Sequence, residues 1–243
     1  MRIIVAKDYE NLSKQAAIIL AGQIIHKPHS VLGLATGSTP VGTYRQLVEF
    51  YNQGLLDFSQ VKTFNLDEYY SVAPQDEFSY HWFMQENLFR HVNVIAANLN
   101  VPNGLAQDVA AECSRYEALM EQAGGIDLQL LGIGRNGHIG FNEPGSDFAG
   151  TTHLVDLDED TIAANARFFA SPDQVPRQAI SMGIKSIMRV RKILLLANGS
   201  GKARIIRDMA FGSITPKVPA TVLQLHPDIT VIVDEEAGSL LPR

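Results

Sequence analysis

The chemistry in this chain is concentrated in one stretch, Leu130–Ser146, which reads LLGIGRNGHIGFNEPGS. An apolar run turns abruptly into glycines and then presents Arg135, Asn136, His138, Asn142 and Glu143. Glycine tolerates positive φ and lets a backbone approach a ligand closely. A His and a Glu in such a loop are candidates for proton transfer. A catalytic His needs a second group to fix its tautomer and ring orientation, and Glu143 or Asn136 could supply it. A lone His is more often structural, but this company raises His138 above that expectation. The same side chains could ligate a metal. The helical HExxH spacing is absent and no cysteine lies nearby, so no metal is expected. Gly132–Gly137 (GIGRNG) formally matches a dinucleotide fingerprint. That site needs a helix to open at the glycines, and Gly140, Pro144 and Gly145 break one. No nicotinamide cofactor is expected, and Asp156, near the ribose-binding distance, is read as coincidence.

Three further clusters carry polar chemistry. Thr36–Pro40 runs from a strand through small polar residues into a helix. Free N–H groups at a helix N-terminus bind phosphate or carboxylate, Gly37 allows close approach, and Ser38 and Thr39 add hydroxyl donors. A simple N-cap by Ser or Thr is an equal alternative. The cluster is no Walker A loop, which needs a Lys after its last glycine. Asn198–Lys202 (NGSGK) repeats the logic with a cation. Lys202 sits where a positive charge opposes the helix dipole, which is tolerable if it holds an anion. Arg167, between Ala166 and Phe168, lies in an apolar context where arginine usually has a partner, and taken alone a structural salt bridge fits equally well. Asp67 and Glu68 end an apolar strand. Two close carboxylates push their pKa values apart, so one can act as a base. Taken alone, Asp67 reads better as a turn acid.

The elements that must position these groups follow from hydrophobic spacing. Strands are expected at Ile3–Val5, Ser30–Ala35, Val61–Leu66, Ile126–Leu131, Lys192–Ala197 and Ile229–Val233. Helices are expected at Asp8–His26, Val41–Tyr51, Ser79–Phe89, Asp108–Ala123, Asp158–Asn165 and from about Lys202 onward. Apolar strands alternating with helices predict an α/β fold, Rossmann-like, with a mainly parallel sheet and helices on both faces. Ligands in such sheets bind at the carboxyl ends of strands. Thr36–Thr39, Asp67–Tyr70, Gly132–Glu143 and Asn198–Lys202 would then share one rim. A lid is expected between Gly145 and Ser181, on irregular composition alone.

Composition sets the outer bounds. At 243 residues, without linker, repeat or low-complexity segment, residues 1–243 read as a single domain. A net charge of −6 argues against nucleic acid or an anionic membrane as partner, but leaves room for an anionic small molecule held by local cations. Cys113 is the only cysteine, which excludes an internal disulfide and fits a cytoplasmic setting. No signal pattern or membrane-length apolar run is present.

Five blocks carry a family likeness: LGLATGSTP (Leu32–Pro40), TFNLDEYY (Thr63–Tyr70), LGIGRNGHIGFNEPGS (Leu131–Ser146), NARFF (Asn165–Phe169) and LQLHP (Leu223–Pro227). In this order, over nearly the whole chain, they resemble the glucosamine-6-phosphate deaminase family. The related lactonases that open 6-phosphogluconolactone share the fold but not FNLDEYY. The resemblance implies that glucosamine 6-phosphate and water become fructose 6-phosphate and ammonia, without a cofactor. It implies that Asp67 moves the proton between C2 and C1, that His138 opens the sugar ring, and that Glu143 and Asn136 support His138. It implies a phosphate site at Gly37, Ser38, Thr39, Arg167 and Lys202.

This chain departs from many members in two places. Asn136 stands where they carry Asp; an amide can orient His138 but brings no full charge to an imidazolium. Allosterically activated, hexameric members have a longer C-terminus and basic residues after the loop Glu, where this chain has His153 and Val155. No activation by N-acetylglucosamine 6-phosphate is therefore expected, and the chain is expected to be a monomer or small homo-oligomer. The alternatives are a phosphogluconolactonase-like hydrolase and a phosphosugar-sensing domain. Against the sensor, no helix-turn-helix segment precedes Met1 and there is no basic stripe.

Overall fold

The computed structural model describes all residues except Arg167, Phe168, Ala170, Pro172, Asp173 and Arg243, and only the backbone at Asp160, Ala164 and Asn165. In chain order the elements are β1 (Arg2–Ala6), α1 (Tyr9–His26), β2 (Val31–Leu34), α2 (Val41–Asn52), β3 (Lys62–Asn65), β4 (Asp67–Tyr69), α3 (Tyr80–Asn87) and β5 (Leu99–Asn100). There follow α4 (Val109–Gln122), β6 (Leu128–Leu131), β7 (His153–Asp156), α5 (Glu159–Asn165), β8 (Gln178–Ser181), α6 (Ile184–Met188), β9 (Ile193–Ala197), α7 (Ala203–Phe211) and β10 (Ile229–Asp234).

Seven strands form one parallel sheet in the order β1-β10-β9-β6-β2-β3-β5. The apolar runs have a direct cause: β2, β6 and β9 are buried along their whole length, so both faces of each strand are apolar, with Gln129 in β6 the exception. Helix starts follow their caps. Asp8 accepts from the Asn11 N–H at 2.8 Å, Ser79 from Trp82 at 2.9 Å and Asp108 from Ala111 at 2.9 Å. Gly33 in β2 is required by packing, because a Cβ there would lie 1.9 Å from the Gln129 side chain crossing it.

The strand order places the site. From β2 the chain winds outward through β3 to β5, then returns to the other side of β2 with β6, β9 and β10. The order reverses between β2 and β6. Their carboxyl ends carry Thr36–Thr39 and Gly132–Glu143, at the switch point where open α/β sheets bind ligands.

A second sheet, antiparallel β4-β8-β7, was not expected from the sequence. Its strands are short, and His153–Asp156 and Gln178–Ser181 lack the apolar run that marks a buried strand. It changes the reading of Asp67–Tyr70. Asp67, Glu68 and Tyr69 are not a loop following β3 but a strand, β4, paired to Ser181, Ile180 and Ala179. The expected lid is likewise not irregular throughout, since it contains β7, α5 and β8. This layer has its own small core of Tyr69, Phe141, Val155, Leu157, Ile162, Val175 and Ala179. No helix of the described residues is long and apolar enough to cross a membrane.

Candidate active site

The loop after β6 is built by its glycines. Gly137, at φ +88°, takes a left-handed conformation that L side chains rarely adopt. The Gly134 N–H then donates to the His138 carbonyl at 2.9 Å. A Cβ on Gly134 would lie 2.5 Å from the His138 ring, so the imidazole packs where only glycine leaves room. Asn142 closes the loop. Its buried amide donates to the Ile139 and Met182 carbonyls, both at 2.8 Å, and ties the loop to the end of β8. The Ser181 hydroxyl accepts from the Phe141 N–H at 3.0 Å and adds a second tie. Asn142 is thus a fastener of the loop.

His138, Asn136 and Glu143 come together as a unit. His138 Nδ1 lies 3.2 Å from Glu143 Oε2, and the Asn136 amide donates to the same oxygen at 2.7 Å. The His138 N–H donates to Asn136 Oδ1 at 3.2 Å, so Asn136 braces both partners. Burial pushes the Glu143 carboxyl up. Hydrogen bonds from His138, Thr161 and Asn136 and the His138 charge outweigh it and hold Glu143 below the ordinary carboxylate range. Glu143 is therefore an anion that orients the imidazole. With Nδ1–H facing Glu143, Nε2 is free to exchange a proton. Nothing in the sequence pointed to Thr161, whose partner Glu143 is far along the chain and which reads simply as an N-terminal residue of α5.

Asp67 is 6% exposed, and among the described residues none donates a hydrogen bond to its carboxylate. Burial, reinforced by the adjacent Glu68, raises its pKa from 3.8 to about 8. Glu68 is also raised by burial, but it accepts the N–H groups of Tyr69, Tyr80 and His81 at 2.8–2.9 Å. Those amides at the start of α3 favour its anion. The environments differ: burial raises Glu68 to about 7 against three backbone amides, and raises Asp67, with no such amides among the described residues and with Glu68 beside it, to about 8. The neighbouring groups are aromatic. Tyr69 packs on Tyr80 with ring centroids 4.7 Å apart, Tyr80 stacks on Phe141 at 6.1 Å, and Phe141 lies 6.2 Å from the His138 ring. Burial and the neighbouring Tyr69 and Asp67 push the Tyr80 hydroxyl's pKa well above its ordinary value. These ring contacts join β4 and α3 to the loop after β6.

The loop after β2 is held from two sides. The Thr39 hydroxyl donates to Asn198 Oδ1 at 2.8 Å, which joins the loops after β2 and β9. The Tyr9 hydroxyl accepts the Gly42 N–H at 2.9 Å and lies 3.1 Å from the Ser38 and Thr39 carbonyls. Pro40 is the N-cap residue of α2 and gives no side-chain cap bond; in the first turn the Gly42 N–H goes to Tyr9 instead. Gly37, at φ +98°, and Ser38 line a cavity of about 420 Å³ with Tyr9, Val41, Arg45, Phe83 and Asn198. This cavity borders the loop after β2 and is lined by neither Asp67 nor His138. Lys202 precedes α7 in a 3-10 turn, and its ammonium donates to the Ile133 carbonyl at 2.5 Å. Arg167 lies outside the described residues. Among those described, no group of three or more His, Cys, Asp or Glu side chains could hold a metal ion.

The family model for glucosamine-6-phosphate isomerases/6-phosphogluconolactonase matches residues 8–232. A glucosamine-6-phosphate deaminase of Lachnoclostridium phytofermentans is 59% identical over 232 residues, 96% of this chain and 98% of its own. One from Halothermothrix orenii is 56% identical over 241 residues, 99% of this chain and 100% of its own. Among solved structures, a monomeric glucosamine-6-phosphate deaminase superposes with a TM-score of 0.97 at 49% identity, covering 99% of this chain and 100% of its own. A 6-phosphogluconolactonase from Leishmania guyanensis gives 0.78 at 19% identity, covering 100% of this chain and 99% of its own, and indicates a shared fold.

Proposed function

The chain belongs to the glucosamine-6-phosphate isomerase and 6-phosphogluconolactonase family, and from that membership we propose how its rim of polar groups turns glucosamine 6-phosphate and water into fructose 6-phosphate and ammonia. Relatives named as deaminases at 56–59% identity over nearly full length support this activity within the family. The observation that carries the deaminase reading is the buried, raised Asp67, because a lactonase has no proton to remove from C2.

The substrate's phosphate is held by the loop Gly37–Thr39, with Lys202 and Arg167 as the cations. Binding remote from the reacting carbons positions C1 and C2. His138 Nε2 relays a proton between the ring oxygen and the anomeric hydroxyl, which opens the pyranose to the aldehyde. Asp67 then takes the proton from C2, and the C2–H electron pair moves into the carbonyl system. Reprotonation at C1 leaves an imine at C2. Water adds there, the C2–N bond breaks, and ammonia leaves with the ketose. The amino group of the arriving substrate, when charged, brings a cation beside Asp67 and favours its ionised form. Asn136 and Glu143 hold His138 in the required tautomer.

The same proposal places residues 1–243 in one domain. It places the enzyme in the cytoplasm, consistent with a single cysteine, and as a monomer, like the solved deaminase it superposes on. The test is ammonia release from glucosamine 6-phosphate by the purified protein beside Asp67→Asn. The variant is expected to lose between about 10² and 10⁴ in kcat. Deamination undiminished in Asp67→Asn would remove Asp67 as the base. A silent wild type, with galactosamine 6-phosphate also untouched, would overturn the deaminase reading and favour lactone hydrolysis, which Asp67→Asn should spare.

A further inference from the structure

Glu143 has two carboxylate oxygens, and the roles assigned so far occupy only one. Oε2 receives Asn136 and faces His138 Nδ1. Oε1 receives the hydroxyl of Thr161 at 2.6 Å, a short bond to a charged acceptor. The same hydroxyl oxygen lies 3.4 Å from His138 Nδ1. Thr161 is 4% exposed and sits on α5, in a different layer of the molecule from the loop it contacts. Its neighbour Ile162 is part of the small aromatic core that contains Phe141 and Tyr69, so the hydroxyl is held by packing as well as by its bond.

We propose that Thr161 is a positioning residue for the ring-opening step, fixing the plane of the Glu143 carboxylate so that Oε2 meets His138 Nδ1 and the imidazole keeps its proton on that nitrogen. A carboxylate held through one oxygen can rotate about its terminal torsion, which is broad for Glu. Held through both, it presents one oxygen in one direction. His138 then has a single neutral tautomer, with Nε2 open toward substrate. Asn136 cannot do this alone, because its amide bonds the same oxygen that His138 uses and leaves Oε1 unrestrained. In this chain the need is sharper, because the amide at position 136 adds no charge to hold the imidazole.

The inference rests on the deaminase reading, and the experiment separates the two. Thr161→Val keeps the shape of the side chain and removes the hydroxyl; Thr161→Ser keeps the hydroxyl. Ammonia release should fall about 10- to 100-fold in kcat for the valine variant, within the range typical of proton-transfer groups, with KM changed less than about twofold. The serine variant should recover most of the loss. Independently of turnover, ¹⁵N NMR of the imidazole in the free enzyme should give one tautomer for His138 in wild type and a mixture in Thr161→Val. Equal kcat for valine and wild type would overturn the proposal, as would an unchanged tautomer signal. It would fall equally if serine were as impaired as valine, or if the loss lay in KM. A wild type without deaminase activity would sink the functional reading but not the tautomer result.

Discussion

At the scale of the residue, Asp67 shows function set against stability. Its folded pKa of about 8 lies above the ordinary 3.8, so burying it favours the protonated form. Stability linked to this group is greatest at low pH and is lost as pH rises through that window, because the unfolded chain ionises first. Asp67→Asn removes the titration and the repulsion with Glu68. The variant should therefore melt higher than wild type, with a gain that grows between about pH 4 and pH 8 and then levels off. Thermal unfolding across pH checks this, and a gain independent of pH would contradict it. The catalytic sign is opposite. A base must be unprotonated, so kcat/KM of the wild type should climb with pH toward about 8, since that ratio reports the free enzyme. A flat profile between pH 6 and 8 would mean that another group is the base.

At the scale of the element, the site depends on the far ends of the strands that carry it. Asp127, buried just before β6, accepts Lys27 Nζ at 2.7 Å, Arg191 at 2.9 Å and the Val31 N–H at 2.8 Å. It thereby locks the starts of β2 and β6, the two strands flanking the switch point. Burial raises its pKa, but Lys27, the Val31 amide and Arg191 outweigh burial and bring it below the ordinary 3.8. Stability from this group is thus present above the ordinary value and lost as pH falls through the depressed one. Asp127→Ala should cost about 1–3 kcal/mol at neutral pH, the range for hydrogen bonds to a charged group, with half-exposed Arg191 free to find water. Its deficit in melting temperature should shrink below about pH 4. A deficit that persists at pH 3 would show that packing, not charge, is what the alanine removes.

At the scale of the whole molecule, regulation is the open property. The resemblance implies that His153 and Val155 stand where activated members carry basic residues; in this fold both belong to β7, paired to Ser181 and Ala179. Neither position is a lysine or arginine, so these two offer a phosphorylated effector no permanent cation. Steady-state kinetics should be hyperbolic, and N-acetylglucosamine 6-phosphate should leave the half-saturating substrate concentration unchanged. Sigmoidal curves relieved by that compound would contradict this.

The sequence by itself determined the parallel sheet, because strands buried on both faces are apolar nearly throughout, as β2 and β9 are and β6 is apart from Gln129. It also determined the pairing of His138 with Glu143 and Asn136, because all three lie on one short loop whose glycines leave few ways to fold. Only the tertiary structure decided what joins that loop to the rest. Thr161, Ser181 and Met182 reach it from α5 and the end of β8, and the Tyr80 ring reaches its Phe141 from α3. No local pattern marks these contacts, since hydroxyls and carbonyls occur everywhere and only folding selects which of them meet. The raised Asp67 belongs to the same class. Its neighbour Glu68 is visible in the sequence, but the three amides that bond Glu68 come from its own strand and from α3, and the burial that raises Asp67 comes from packing between layers.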